Sequence, residues 1–243
     1  MSRTLPFRMN GESGGGPLPS RSLRRVTWTG ATLGACAILA GCVLPGRDLD
    51  SLAPKYAPEN VFLYAPALRP DLKRVAVLPL ACEDRRADLA DGCETLNPIL
   101  DLALIKTRKF EIVPTDPKIL RDRTGRSGWT GAEVLPPDFF DSLREVYACD
   151  AVLFCQLTVF RAYKPLAVGW RLRLVDARTR QTLWEADELF DAGQQAVLNG
   201  AMHYQRAELR NQVPGEGGWL IQNSPRQFSQ YAAAQVLETL PRR

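Results

Sequence analysis

The residues able to do chemistry in this 243-residue chain are its six cysteines and one group of acids. Cys42 closes the run Leu39-Ala40-Gly41-Cys42, where two small residues leave the backbone open to a peptidase and the thiol is the one good nucleophile at the junction. Cys82 and Cys93 bracket a polar stretch, Glu83 to Gly92. A disulfide between them would close an otherwise loose loop and stabilise the fold by about 2–3 kcal/mol in the chain-entropy view. Cys149 and Cys155 flank a very apolar run and read as small buried hydrophobes. Glu185, Asp187, Glu188 and Asp191 are the residue types of an acid/base pair for glycoside chemistry. Alternate strand residues point to opposite faces, however, so only some of them can converge, and solvated edge charges are the plainer reading. His203 is the single histidine, which excludes a histidine-built metal site, and no Gly-x-Ser-x-Gly elbow makes it part of a serine triad. The loop Thr124 to Glu133 is glycine-punctuated but lacks the Gly-Lys-Ser/Thr ending of a phosphate-binding loop. No cofactor and no metal are expected.

Cys42 is positioned by what precedes it. Arg21, Arg24 and Arg25 lead into an uncharged, mostly small or apolar run from Val26 to Ala40. That run falls short of the ~20 apolar residues a membrane-spanning helix needs. Basic flank, apolar run and small-residue junction are the three parts of a secretory signal. Leu39-Ala40-Gly41-Cys42 resembles the lipobox of bacterial lipoproteins. The resemblance implies a diacylglycerol on the Cys42 thiol, a cut just before it and acylation of the new amino group. One acyl chain binds a membrane only marginally, at about 0.8 kcal/mol per methylene, whereas two or more anchor stably. Val43 stands where an aspartate would imply inner-membrane retention, so the resemblance implies the outer membrane and its periplasmic face. Ser22 to Thr27 matches a twin-arginine motif in part, leaving both export routes open. The polar, glycine-rich stretch Met1 to Ser20 also leaves a start at Met9 open.

The formal charge of +4 belongs to residues 1–41, which hold five arginines and one acid; the remaining chain has 26 basic and 26 acidic residues. A neutral chain without a basic block gives no electrostatic reason to expect nucleic acid. Residues 42–72 carry five prolines and read as an extended tether of about 3.1 Å per residue. Val61 to Tyr64 is apolar and is expected to pack on the domain that follows.

Residues 73–243 read as one α/β (α+β) domain: a mixed sheet of about five strands with helices packed on it, an antiparallel hairpin and C-terminal helices. Arg74 to Leu80 and Ala151 to Cys155 are continuously apolar, as in strands covered on both faces. Phe110 to Pro114 is a further strand. Asn97-Pro98, Asp116-Pro117 and Pro136-Pro137-Asp138 carry cap-plus-proline signals for helices. Val168 to Val175 alternates as a half-exposed strand, turns at Asp176 to Arg180 and returns from Thr182 to Phe190. A four-residue turn would set Arg173 opposite Trp184 for a stacking contact. Gln194 to Asn211 and Arg226 to Leu240 read as helices. Arg171, Arg173 and Trp184 on the hairpin, with Trp129 and Trp219 in loops, form the candidate contact surface; core packing is the plainer reading of each tryptophan.

The lipobox, RVAVLPL, FEIVP, CDAVLFCQLTVF and the hairpin GWRLRLVDARTRQTLWEADELF together resemble a wider group over roughly residues 73–190. It includes the curli-secretion lipoprotein, the lipoprotein activators of penicillin-binding proteins and the amino-terminal domain of TolB. Arg180 stands where that group carries a turn glycine, and no long pair of amphipathic hairpins is present for a channel wall. The resemblance bears on fold more than on function, because members of the group include pore subunits, enzyme activators and proteins of unknown role; the leading expectation is a non-enzymatic outer-membrane lipoprotein that binds or scaffolds an envelope protein or associates with itself. A subunit of an oligomeric export apparatus and a peptidoglycan hydrolase are the alternatives.

Overall fold

Alternation and continuous apolar runs resolve, among the described residues, into one seven-stranded mixed sheet with five α-helices. The computed structural model describes residues 54–82, 87–209 and 221–243. Leu39, Ala40, Gly41, Cys42 and Trp219 lie outside the described residues.

In chain order the strands are β1 (Val61–Leu63), β2 (Arg74–Val77), β3 (Ala81–Cys82), β4 (Glu111–Pro114), β5 (Ala151–Arg161), β6 (Ala167–Asp176) and β7 (Thr182–Asp191). The helices are α1 (Ala87–Thr107), α2 (Pro117–Thr124), α3 (Phe139–Tyr147), α4 (Gln195–Leu209) and α5 (Pro225–Glu238). The sheet runs β1-β7-β6-β5-β2-β4, with β3 pairing β5 beyond the end of β2. β2 is parallel to both β4 and β5, and the β5-β6-β7-β1 half is antiparallel.

The five strands read from the sequence are joined by two short ones. β1 comes from the proline-rich segment, which is part of the domain here: Leu68 and Leu72 of the same segment are buried. β3 resumes along β5 after Pro79, which has no N–H to give a ladder. The Leu80 N–H is taken instead by the Asn97 side chain at 2.9 Å.

That bond corrects the helix start expected at Asn97-Pro98. α1 begins at Ala87 and carries Pro98 inside it. The Asn97 amide serves the strand and Asp101 (3.1 Å) and does not cap a helix. Two contacts hold the added turns. Cys82 and Cys93 are joined as a disulfide with Cα atoms 6.3 Å apart. Gly92 lies so close to β5 that a Cβ there would meet the Phe160 ring at 2.7 Å.

α1, α4 and α5 cover one whole sheet face around a core that includes Leu100, Leu153, Trp170, Trp184, Phe190 and Phe228. Among the described residues, the other face is covered only around β2 and the start of β5, where α2, α3 and the loop between them pack Leu120, Trp129, Phe139, Phe140 and Leu143 on Val152 and Phe154. Half of that second face is left open by the described residues.

Candidate contact face

The open half is built by the pleat of β5, β6 and β7. Even-numbered residues of β7 (Trp184, Ala186, Phe190) enter the helix-covered core, and the odd-numbered ones point the other way. Across the ladder, Arg171 stands directly opposite Asp187 and Arg173 opposite Glu185. Each pair closes an ion pair, Arg171–Asp187 at 2.6 Å and Arg173–Glu185 at 2.8 Å. Arg161 reaches over β6 to Asp191 at 2.9 Å. The face thus carries a row of cations beside a row of anions, each half-exposed.

A bulge decides this register. Val175 pairs with Thr182 and the register shifts between Leu174 and Val175, so Leu174 faces Trp184. The expected Arg173–Trp184 stacking is therefore absent: one residue of slip exchanges the two faces of a strand. The turn itself is held by Asp176, whose carboxylate accepts from the Arg178 and Thr179 N–H groups at 2.8 and 2.7 Å. Burial alone would raise the Asp176 carboxyl pKa. Those N–H groups and the Arg69 guanidinium outweigh burial and leave it below the usual range. Arg180 takes the left-handed conformation (φ 62°) that a glycine would adopt freely.

At its edge the face is apolar. Phe62 of β1, directly opposite Glu185, is 52 % exposed, and Leu189 is 44 % exposed. Tyr64, also exposed, donates its backbone N–H to Leu183 at 3.0 Å. Two buried polar atoms on this side, Arg173 Nε and Gln156 Oε1, meet no hydrogen-bond partner among the described residues. The loop after α2 borders the face, its Gly131 carbonyl accepting from Arg173.

Of the five residues expected at a contact surface, Arg171 and Arg173 are here. Trp184 is fully buried and donates to the Thr239 hydroxyl at 3.1 Å. Trp129 is buried against Phe139, donates to Thr124 at 2.8 Å and carries the Arg126 guanidinium over its ring. Both are core residues, because each indole finds its partner inside the fold. Phe62, Tyr64 and Leu189 were missed, although an apolar residue at an outward-facing strand position is the signal that marks them.

The acids of β7 do not converge. Glu185, Asp187 and Asp191 are each held by an arginine. Glu188, 4 % exposed, faces the opposite side and accepts from the Tyr56 hydroxyl and from the Asn60 N–H at 2.6 Å. With the Asn199 amide donating to the Pro54 carbonyl at 3.1 Å, these bonds clamp the segment before β1 against β7 and α4. Cys149 and Cys155 are free and buried, and burial pushes both thiols up. His203 is exposed on α4. Among the described residues no three His, Cys, Asp or Glu side chains could hold a metal ion, and no helix is long and apolar enough to cross a membrane.

No protein-family model and no curated protein matches the chain. Solved structures do. The PelC dodecamer from Paraburkholderia phytofirmans is 16 % identical, with 75 % of this chain and 98 % of that one covered and a TM-score of 0.44. Lipoprotein GNA1162 from Neisseria meningitidis is 19 % identical over 58 % of this chain and 98 % of that one, TM-score 0.33. The LpoB C-terminal domain from Escherichia coli is 16 % identical over 49 % and 82 %, TM-score 0.32.

Proposed function

We propose that the chain is a lipid-anchored protein of the bacterial envelope, held through Cys42 at the periplasmic face of the outer membrane, that binds or scaffolds an envelope protein and catalyses no reaction. The observation carrying this reading is the open half of the sheet, with its Arg171–Asp187 and Arg173–Glu185 pairs beside exposed Phe62 and Leu189. Mixed polar and apolar surface of this kind suits a protein partner. A photo-crosslinking residue placed at Phe62 or at Arg171 in intact envelopes should give one adduct mass common to both positions. The same residue at Ile119, exposed on α2, should not give it. Equal adducts at all three positions, or none, would refute the face. Release of muropeptides from sacculi by the purified protein, lost on Asp187→Asn, would refute the non-enzymatic reading.

A further inference from the structure

β1 ends the sheet on one side, and its outer edge is unprotected. β7 takes the even-numbered backbone groups: the Tyr64 N–H donates to the Leu183 carbonyl and the Asn60 carbonyl accepts from the Asp187 N–H, on either side of the Phe62–Glu185 pair. Successive residues of an antiparallel ladder turn their N–H and C=O groups to opposite sides, so those of Val61 and Leu63 point away from the sheet. They meet no backbone partner among the described residues. Phe62, Leu63 and Tyr64 are 52 %, 47 % and 57 % exposed. Edges that must stay single carry charge, proline or a bulge. From Asn60 to Ala65 there is no charged residue and no proline, and the β1–β7 register runs without a shift. The prolines stand outside this stretch, Pro58 and Pro66, each four residues from Phe62.

That symmetry names the occupant, because a segment bounded alike in both directions fits an antiparallel copy of itself. We propose that β1 pairs with β1 of a second copy of this chain about a two-fold axis at Phe62. Val61 then faces Leu63 of the second copy and Leu63 faces its Val61, so every outward N–H and C=O of both residues is bonded. On the open face Phe62 lies beside Phe62 of the second copy, and on the helix-covered side the exposed Leu63 gains an apolar neighbour. Pro58 lies opposite Pro66 of the second copy, so the ladder runs proline-free from Glu59 to Ala65. Glu59, the one charge in that stretch, faces Ala65 and no like charge. The other two-fold registers that use the outward groups are centred on Val61 or Leu63. They shorten the proline-free ladder to Glu59–Leu63 or Val61–Ala65, and the first sets Glu59 against Leu63. The interface is isologous, and its axis, perpendicular to the sheet, keeps both open halves on the same side. The contact face proposed above is thereby doubled. The pairing itself requires neither that reading nor a lipid on Cys42.

The test uses the full chain carrying Cys42→Ser, so that no shared lipid micelle holds two copies together. Sedimentation should show a monomer–dimer equilibrium. Leu63→Pro removes an outward N–H that β7 does not use. Hydrogen exchange should therefore find the Tyr64 and Asp187 amides still protected, while the dissociation constant rises about tenfold or more, a change of roughly 1.4 kcal/mol. Phe62→Cys reads the register: Cα atoms facing each other about 4.5 Å apart are within reach of a disulfide, and mild oxidation should join two copies. Tyr64→Cys, which faces Asn60 of the second copy, should not be joined. Phe62→Lys and Phe62→Glu should each sediment as monomers and should pair when mixed, because charges at this position meet directly across the axis. A monomer at every concentration, a dimer unmoved by Leu63→Pro with both amides protected, or equal oxidation of Phe62→Cys and Tyr64→Cys would overturn the pairing. If Leu63→Pro strips the two amides of protection, the mixture decides: dimers formed only on mixing support the pairing, and their absence overturns it.

Discussion

Glu188→Ala should detach the segment before β1 while leaving the domain folded. In the structure this carboxylate is buried at 4 % exposure and accepts two hydrogen bonds, from the Tyr56 hydroxyl and the Asn60 N–H. Hydrogen bonds to a charged group contribute about 1.5–3 kcal/mol each. Tyr56 is half-buried and Asn60 exposed, so both recover water once the segment lifts, and the combined loss should fall near 2–4 kcal/mol. The effect should be local, because the Tyr56–Phe190 ring contact and the bonds of Pro54 and Tyr56 to α4 belong to the same small unit. Hydrogen exchange reads this directly. The Tyr64 and Asp187 amides, bonded to Leu183 and Asn60 across the β1–β7 seam, should exchange about 30- to 700-fold faster at 1.4 kcal/mol per decade. Amides of β5 and β6 should be unchanged. Unaltered protection at Tyr64 and Asp187, or a uniform loss throughout the domain, would refute the reasoning.

Trp184→Ala should cost about 3–5 kcal/mol, as for a large buried aromatic, whereas Arg171→Ala, which removes one partner of a half-exposed pair, should cost under about 1 kcal/mol; urea unfolding of both separates the core residue from the one on the open face. Cys82→Ala with Cys93→Ala, which opens an eleven-residue separation, should lower stability by about 2–3 kcal/mol in a denaturant midpoint, and added reductant should do nothing further to that variant. Burial first, then nearby Glu238, pushes the Tyr231 hydroxyl up to about 12. The unfolded chain releases this proton near 10, so the stabilisation it gives is complete below pH 10 and is lost as the pH rises from there toward 12. Tyr231→Phe should flatten that alkaline decline in a urea titration. At pH 8 it should not destabilise, since the hydroxyl has no hydrogen-bond partner among the described residues.

Much of the fold was legible because local chemistry and tertiary context agreed. Apolar continuity in Ala151 to Cys155 meant cover on both faces, and both cores meet there. Proline after a capping residue marked α2, where Asp116 caps Lys118 N–H at 2.7 Å. The same signal misled at Asn97-Pro98, because the Asn97 side chain is claimed by Leu80, close in space once β3 and α1 are tied by the disulfide. The residues of the open sheet face were half legible. Arg171 and Arg173 followed from alternation alone, but Trp184 and Trp129 were drawn into the core by partners more than fifty and five residues away in the chain, Thr239 and Thr124.

By itself the sequence determined the lipobox-like junction at Cys42, the neutral charge of the chain that follows it, the single histidine and the order of the longer strands, since each is a property of composition or of spacing along the chain. Only the tertiary structure decided that β1 leaves the proline-rich segment to join β7, that a bulge at Leu174 and Val175 sets arginine opposite acid, and that helices cover one sheet face and half of the other. Those outcomes depend on registers and contacts between distant segments, and a single residue of slip, invisible to periodicity, reverses which side chains meet.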